Sequence, residues 1–110
     1  MRYWINIYKP IKGVFVMKND YIEQTDLLEE CYFLFHECGY ARSKAAFCRK
    51  YLKRSGSYMT KINGYRLPSV AVWAKLFMAL MDMKKDLMSI EHRFYASDLL
   101  KRLKKVIENL

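Results

Sequence analysis

Between residues 20 and 38 the apolar side chains Ile22, Leu27, Leu28, Cys31, Tyr32, Phe35 and Cys38 return every three or four positions, while Glu23, Glu29, Glu30 and Glu37 fall largely on the other side. That period predicts an amphipathic helix, capped near Asp20 and stopped at Gly39, where the absence of a Cβ favours a left-handed exit. Ser43 is placed to cap a short second helix reaching about Leu52, with Ala46, Phe47, Tyr51 and Cys48 inward. The polar KRSG tetrapeptide at 53–56 breaks it. Ser55 then caps another short helix, with Met59 and Ile62 one turn apart on its buried side and Asn63-Gly64 as its stop.

Past that glycine, Pro68-Ser69 starts a strongly apolar run in which Val70, Trp73, Leu76, Phe77 and Leu80 repeat at helical spacing, with Ser69 as the cap. The run ends at the polar stretch DMKK, residues 82–85. A last helix is predicted over about residues 86–109, where Ala96, Leu99, Leu103, Val106 and Leu110 follow in steps of three and four. The first sixteen residues read differently: YWINIY, a Lys-Pro and Lys-Gly break, then VFV have the β-branched and aromatic character of two short extended pieces. Because Met17 follows directly, this arm is either a functional appendage or an upstream translation start. The expected fold class is therefore all-α, five helices with a short, extended N-terminal arm. Its expected organisation is an arm at 1–16, a central domain at 17–85 and a C-terminal helix at 86–110.

A chain of 110 residues has room for one compact domain, and 53% hydrophobic residues supply its core. Charge changes the picture more. Residues 1–37 carry four basic and six acidic side chains, residues 82–110 seven and five, and residues 38–81 nine basic and none acidic. Arg42, Lys44, Arg49, Lys50, Lys53, Arg54, Lys61, Arg66 and Lys75 thus form a sustained positive field suited to a phosphate backbone or an anionic membrane, or else a solvated basic face. Short capped elements argue against an interfacial membrane helix, and no apolar run approaches the length of a membrane span. With no secretory signal pattern and an odd number of cysteines, Cys31, Cys38 and Cys48, set within apolar patterns, the expectation is a cytoplasmic protein with reduced thiols.

Residues 43–80 combine a capped helix, a tight polar turn, a second capped helix with small and polar outward residues, and a buried helix behind. A helix-turn-helix is built this way, the first helix bracing a second whose leading end enters the ~12 Å major groove. The segment resembles the helix-turn-helix of the lambda repressor and Cro type, the XRE class. The resemblance runs through Ser43-Lys44, Phe47-Cys48, Ser55, Ile62, Asn63-Gly64, Tyr65-Arg66 and Pro68-Ser69 followed by Val70, Trp73, Leu76 and Leu80, over about 40 of the 110 residues. Through Leu52, Ser55, Ser57 and Tyr58 it also resembles a group of small bacterial helix-turn-helix proteins. Three departures stand out: Lys53 sits near the place of the usual turn glycine, the turn is about one residue longer, and Gln or Arg is absent from the start of the recognition helix.

The resemblance implies a lambda-repressor-like DNA-binding domain with a recognition helix at about 55–63, in a small prokaryotic or phage transcriptional regulator. Ser57, Tyr58, Thr60 and Lys61 would then face bases. Ser43, Lys44, Lys53, Arg54, Tyr65 and Arg66 would clamp phosphates, and six neutralised phosphates imply a log–log salt slope of about −5. Each has a plainer reading: Tyr58 as a surface-packed aromatic, Lys44, Arg49 and Lys50 as solvated helix residues. Double-stranded DNA is the expected partner. A homodimer through the C-terminal stripe is set against that stripe packing on its own domain. The alternative function is a protein-interaction module, antitoxin-like or adaptor, on the same scaffold. His36 and His92 are lone, and no catalytic set, phosphate loop or metal-ligand spacing is present, so no enzyme activity, cofactor, metal or small-molecule substrate is expected.

Overall fold

A computed structural model describes residues 16–62 and 67–110, with side chains from residue 23 onward, and every regular element among these residues is helical. The elements are α1 (Val16–Glu37), α2 (Lys44–Phe47) continuing as a π-helical segment (Cys48–Leu52), α3 (Tyr58–Lys61), α4 (Val70–Lys85) and α5 (Ile90–Glu108). The N-terminal arm and the Asn63-Gly64 stop lie outside the described residues.

Helix α1 begins four residues before the predicted cap at Asp20, so that residue lies inside the helix. Its end follows the sequence. Gly39 takes φ 84, the Tyr40 amide returns to the Phe35 carbonyl at 2.8 Å and the Gly39 amide to that of His36 at 3.1 Å. This pair of bonds satisfies carbonyls that a helix end otherwise leaves open. Ser43 and Ser69 cap α2 and α4 by accepting from the amides of Ala46 (3.1 Å) and Val72 (3.4 Å). The last helix starts at Ile90 rather than near residue 86. Asp86 closes α4, Leu87 is buried beneath the turn, and Ser89 accepts from the His92 amide at 3.3 Å.

The core is assembled at one aromatic cluster and along one long helix. Phe47 is fully buried, with Phe35 edge-on at 5.2 Å and Tyr32 at 5.6 Å between ring centroids, and Tyr51 lies 4.6 Å from Phe35. The Tyr51 hydroxyl donates to the Tyr40 carbonyl at 3.0 Å, tying the π-helical segment to the exit of α1. Helix α5 packs against both α1 and α4, and Trp73, Leu76 and Leu80 of α4 are as fully buried as Leu28, Cys31, Leu34 and Phe35 of α1. Ala96, Leu99 and Leu103 are fully buried too, and Val106 is partly buried against the same core. Four of the five members of the C-terminal stripe thus pack on the domain's own core, while Leu110 is exposed. No described helix is long and apolar enough to cross a membrane.

The three thiols are free, Cys31 and Cys48 buried and Cys38 partly so. Burial pushes all three upward in pKa, Cys31 furthest. Across the α1–α5 seam, Arg102 donates to both oxygens of Glu30 and, at 3.1 Å, to Asp98, while the Tyr95 hydroxyl donates to Glu30 at 2.7 Å. Because the Glu30 side chain is only 16% exposed, its desolvation is offset by this guanidinium. Replacing Arg102 with Met keeps much of the stem packing and removes the charge. We expect Arg102→Met to cost about 1–3 kcal/mol in urea denaturation, and Glu30→Gln in the same chain to recover part of it.

Candidate nucleic-acid interface

The segment between α2 and α3 is shaped by one left-handed residue and one close approach. Lys53 adopts φ 57 and ψ 42, and both its amide and that of Arg54 point back to the Cys48 carbonyl, the latter at 3.0 Å. A left-handed lysine carries a backbone cost that glycine avoids. The chain then passes so near α2 that a Cβ on Gly56 would stand 3.1 Å from the Ala45 Cβ and 3.0 Å from Arg49 Nη2. A side chain here would have to move Arg49 or Ala45 by a few tenths of an ångström, so glycine gives the closest approach to α2.

Helix α3 is a single turn. Ser57, not Ser55, occupies its N-cap position, without a side-chain capping bond; the Ser55 carbonyl accepts from the Tyr58 amide at 3.0 Å, and the two serine hydroxyls lie 3.4 Å apart. The helix therefore spans part of the predicted 55–63. Its buried side is the predicted one: Met59 and Ile62 are each 4% exposed. Ser57, Thr60 and Lys61, three and four positions apart, are exposed on the other side.

Tyr58 is only partly exposed, and the Arg54 guanidinium lies 6.0 Å from its ring centroid. Burial raises the phenol's pKa, with Arg54 pulling the other way. Lys53 and Arg54 are exposed beside α3. Lys44 is differently placed: its ammonium lies 3.0 Å from both carboxylate oxygens of Glu29 and 5.9 Å from the Tyr32 ring centroid. The Ser43 hydroxyl is engaged in capping α2. Tyr65 and Arg66 lie outside the described residues.

Lys53, Arg54, Ser57, Thr60 and Lys61 are thus exposed on α3 and in the turn before it, while Lys44 is paired with Glu29 of α1. The structure adds Arg49, whose exposed guanidinium rests over Gly56 beside the start of α3. Arg49 reads in sequence as one helical cation among several; the available signal was Gly56, whose missing side chain marks something packed above it. Among the described residues no ion pair joins Arg49, Lys53, Arg54 or Lys61 to a carboxylate, whereas Lys44, Lys85 and Arg102 are three basic residues that have carboxylate partners.

Among the described residues, five packed helices form a small all-helical domain, with an exposed cationic turn leading into α3. The chain belongs to the family of unknown function DUF6626, whose model matches residues 28–110, from within α1 to the end of α5. No curated protein and no solved structure matches it.

Two substitutions test the turn. Gly56→Ala sets a methyl against Ala45 and Arg49 and should lower stability by about 1–3 kcal/mol in urea denaturation. Lys53→Val should cost about 1–3 kcal/mol, because a β-branched residue fits φ 57 poorly, while Lys53→Gly should cost nothing or stabilise.

Proposed function

We propose that this protein binds double-stranded DNA, with α2 and its π-helical extension bracing α3 as a lambda-repressor-like helix-turn-helix, in the manner of a small bacterial or phage transcriptional regulator. The observation that carries this reading is the outward side of α3. Ser57, Thr60 and Lys61 project from a helix held by Met59 and Ile62, and Lys53, Arg54 and Arg49 surround its leading end. Small polar outward side chains allow close approach to a groove floor, and cations on either side of such a helix meet phosphates. Lys53 in the left-handed position also accounts for the departure in the turn, since it supplies the backbone geometry for which that class uses glycine.

In this reading Ser57, Thr60 and Lys61 are the base-facing residues, with Tyr58 supporting them from beneath Arg54. Lys53, Arg54 and Arg49 hold phosphates, joined by Tyr65 and Arg66. Lys44 is bound to Glu29 and has a minor part, and Ser43 contributes through its cap. The chemistry is binding, without catalysis, cofactor or metal, and the setting is the cytoplasm.

A second reading, a protein-interaction module, draws on Met88, Ile90 and Phe94, which are 93%, 67% and 73% exposed at the start of α5. Exposed apolar groups concentrated in one short stretch favour a protein partner.

Selection from random duplex DNA at two salt concentrations tests the first reading. An enriched sequence, with retention falling steeply as salt rises, is the expected result. The combined Lys53→Ala, Arg54→Ala and Lys61→Ala variant should abolish retention in a mobility-shift assay, while Lys44→Ala should leave it nearly intact. Absence of any retention by the parent protein would overturn the proposal and favour the interaction module.

A further inference from the structure

A groove of about 450 Å³ lies between α4 and the π-helical end of α2, a size at which small-molecule sites occur. Its α4 wall carries Lys75, Met78, Asp82, Met83 and Asp86 at helical spacing. Along that wall Lys75 stands roughly 10 Å from Asp82 and roughly 16 Å from Asp86, at 1.5 Å per residue. The facing wall adds Lys50 and Lys53. All three lysines are exposed, and among the described residues no ion pair joins any of them to a carboxylate, although two aspartates line the same groove. Asp82 pairs with Lys85 instead, at 3.8 Å. Three uncompensated ammonium groups in one groove favour an anion, and lysine holds phosphate as a point charge.

The rest of the lining is apolar and aromatic. Tyr51 is fixed by Phe35, 4.6 Å away between ring centroids, and by its hydroxyl bond to the Tyr40 carbonyl, and the Lys50 ammonium lies 5.3 Å from its ring centroid. Met83 is buried, whereas Met78 is 67% exposed and gains cover from an occupant. An aromatic ring and adaptable thioethers suit a planar heterocycle. Ionised aspartates only accept hydrogen bonds, so Asp82 and Asp86 call for donors, such as hydroxyl or amino groups, on the same molecule.

We infer that the α2–α4 groove binds a nucleoside di- or triphosphate, its phosphates on Lys50, Lys53 and Lys75, its base against Tyr51 and the methionines, and its hydroxyl or amino donors toward Asp82 and Asp86. A nucleotide carries all three chemistries in one molecule; inorganic phosphate carries only the first. The inference goes beyond DNA binding and does not depend on it, because Lys50 and Lys75 have no part in the proposed duplex contacts and the ligand is a free nucleotide.

Calorimetric titration of the full chain with ATP, GTP, CTP and UTP, each alone, tests this, with the matching nucleosides and tripolyphosphate as the two halves of the ligand. We expect at least one of the four to saturate at one nucleotide per chain, bound at least tenfold more tightly than tripolyphosphate or its own nucleoside. Lys50→Ala/Lys75→Ala should weaken that binding tenfold or more, as should Met78→Glu, which sets a carboxylate in the groove. All three positions are exposed, so the core is untouched, and the two variants serve as checks on each other. Saturation by none of the nucleotides would overturn the inference. So would tripolyphosphate bound as tightly as the nucleotide, or nucleotide binding indifferent to both variants. Duplex retention measured on the same samples is a separate readout, and its absence in the parent would strike the DNA reading alone.

Discussion

The edge-on contact of Phe47 with Phe35 is the hinge on which the domain's geometry rests. It fixes α2 against α1, and α2 is the platform on which the cationic turn and α3 are mounted. Tyr32 and Tyr51 close around the pair, and the Tyr51 hydroxyl fastens the π-helical segment to the main chain just beyond α1. Aromatic pairs in this orientation add about 0.5–1.5 kcal/mol to the area they bury. What matters here is the direction they impose. A short helix of four residues has little stability of its own, and its orientation is set by the ring it inserts.

From that platform the turn follows by steric rules. A π-helical run ending in a left-handed lysine swings the chain back, and Gly56 brings it against Ala45, with α3 held by its two buried side chains, Met59 and Ile62. All nine basic residues between 38 and 81 lie in a stretch without carboxylates, while the acidic residues gather on α1 and in the last third. Charge has thus been sorted along the chain, which leaves an exposed cationic turn before α3 and a row of carboxylates on α1. Where the two meet, at Glu29 and Lys44, they neutralise each other.

Helix existence and type were legible because each apolar period is long or well capped. Ser43, Ser69 and Gly39 act as their residue types suggest, and Met59 and Ile62 face inward as their spacing requires. Boundaries were less legible for local reasons. Ser89 competes with Asp86 for the start of α5 and wins because Leu87 is drawn into the core between them; Ser57 displaces Ser55 because the turn runs on until Gly56 has passed Ala45. Within the candidate site, exposure of Ser57, Thr60 and Lys61 was readable from periodicity. The capture of Lys44 by Glu29 was not, since it links residues fifteen apart on different helices. The role of the C-terminal stripe was open to either answer in sequence, because an apolar stripe has the same period whether it packs at home or elsewhere.

The buried thiols have a practical meaning. Cys31 sits under the α1–α5 seam and Cys48 under α3, each protonated and shut away from reagents in the closed state. Alkylation at either must wait for its own part of the molecule to breathe, so the two labelling rates read out, separately and without any engineered probe, how often the α1–α5 seam and the packing beneath α3 come apart.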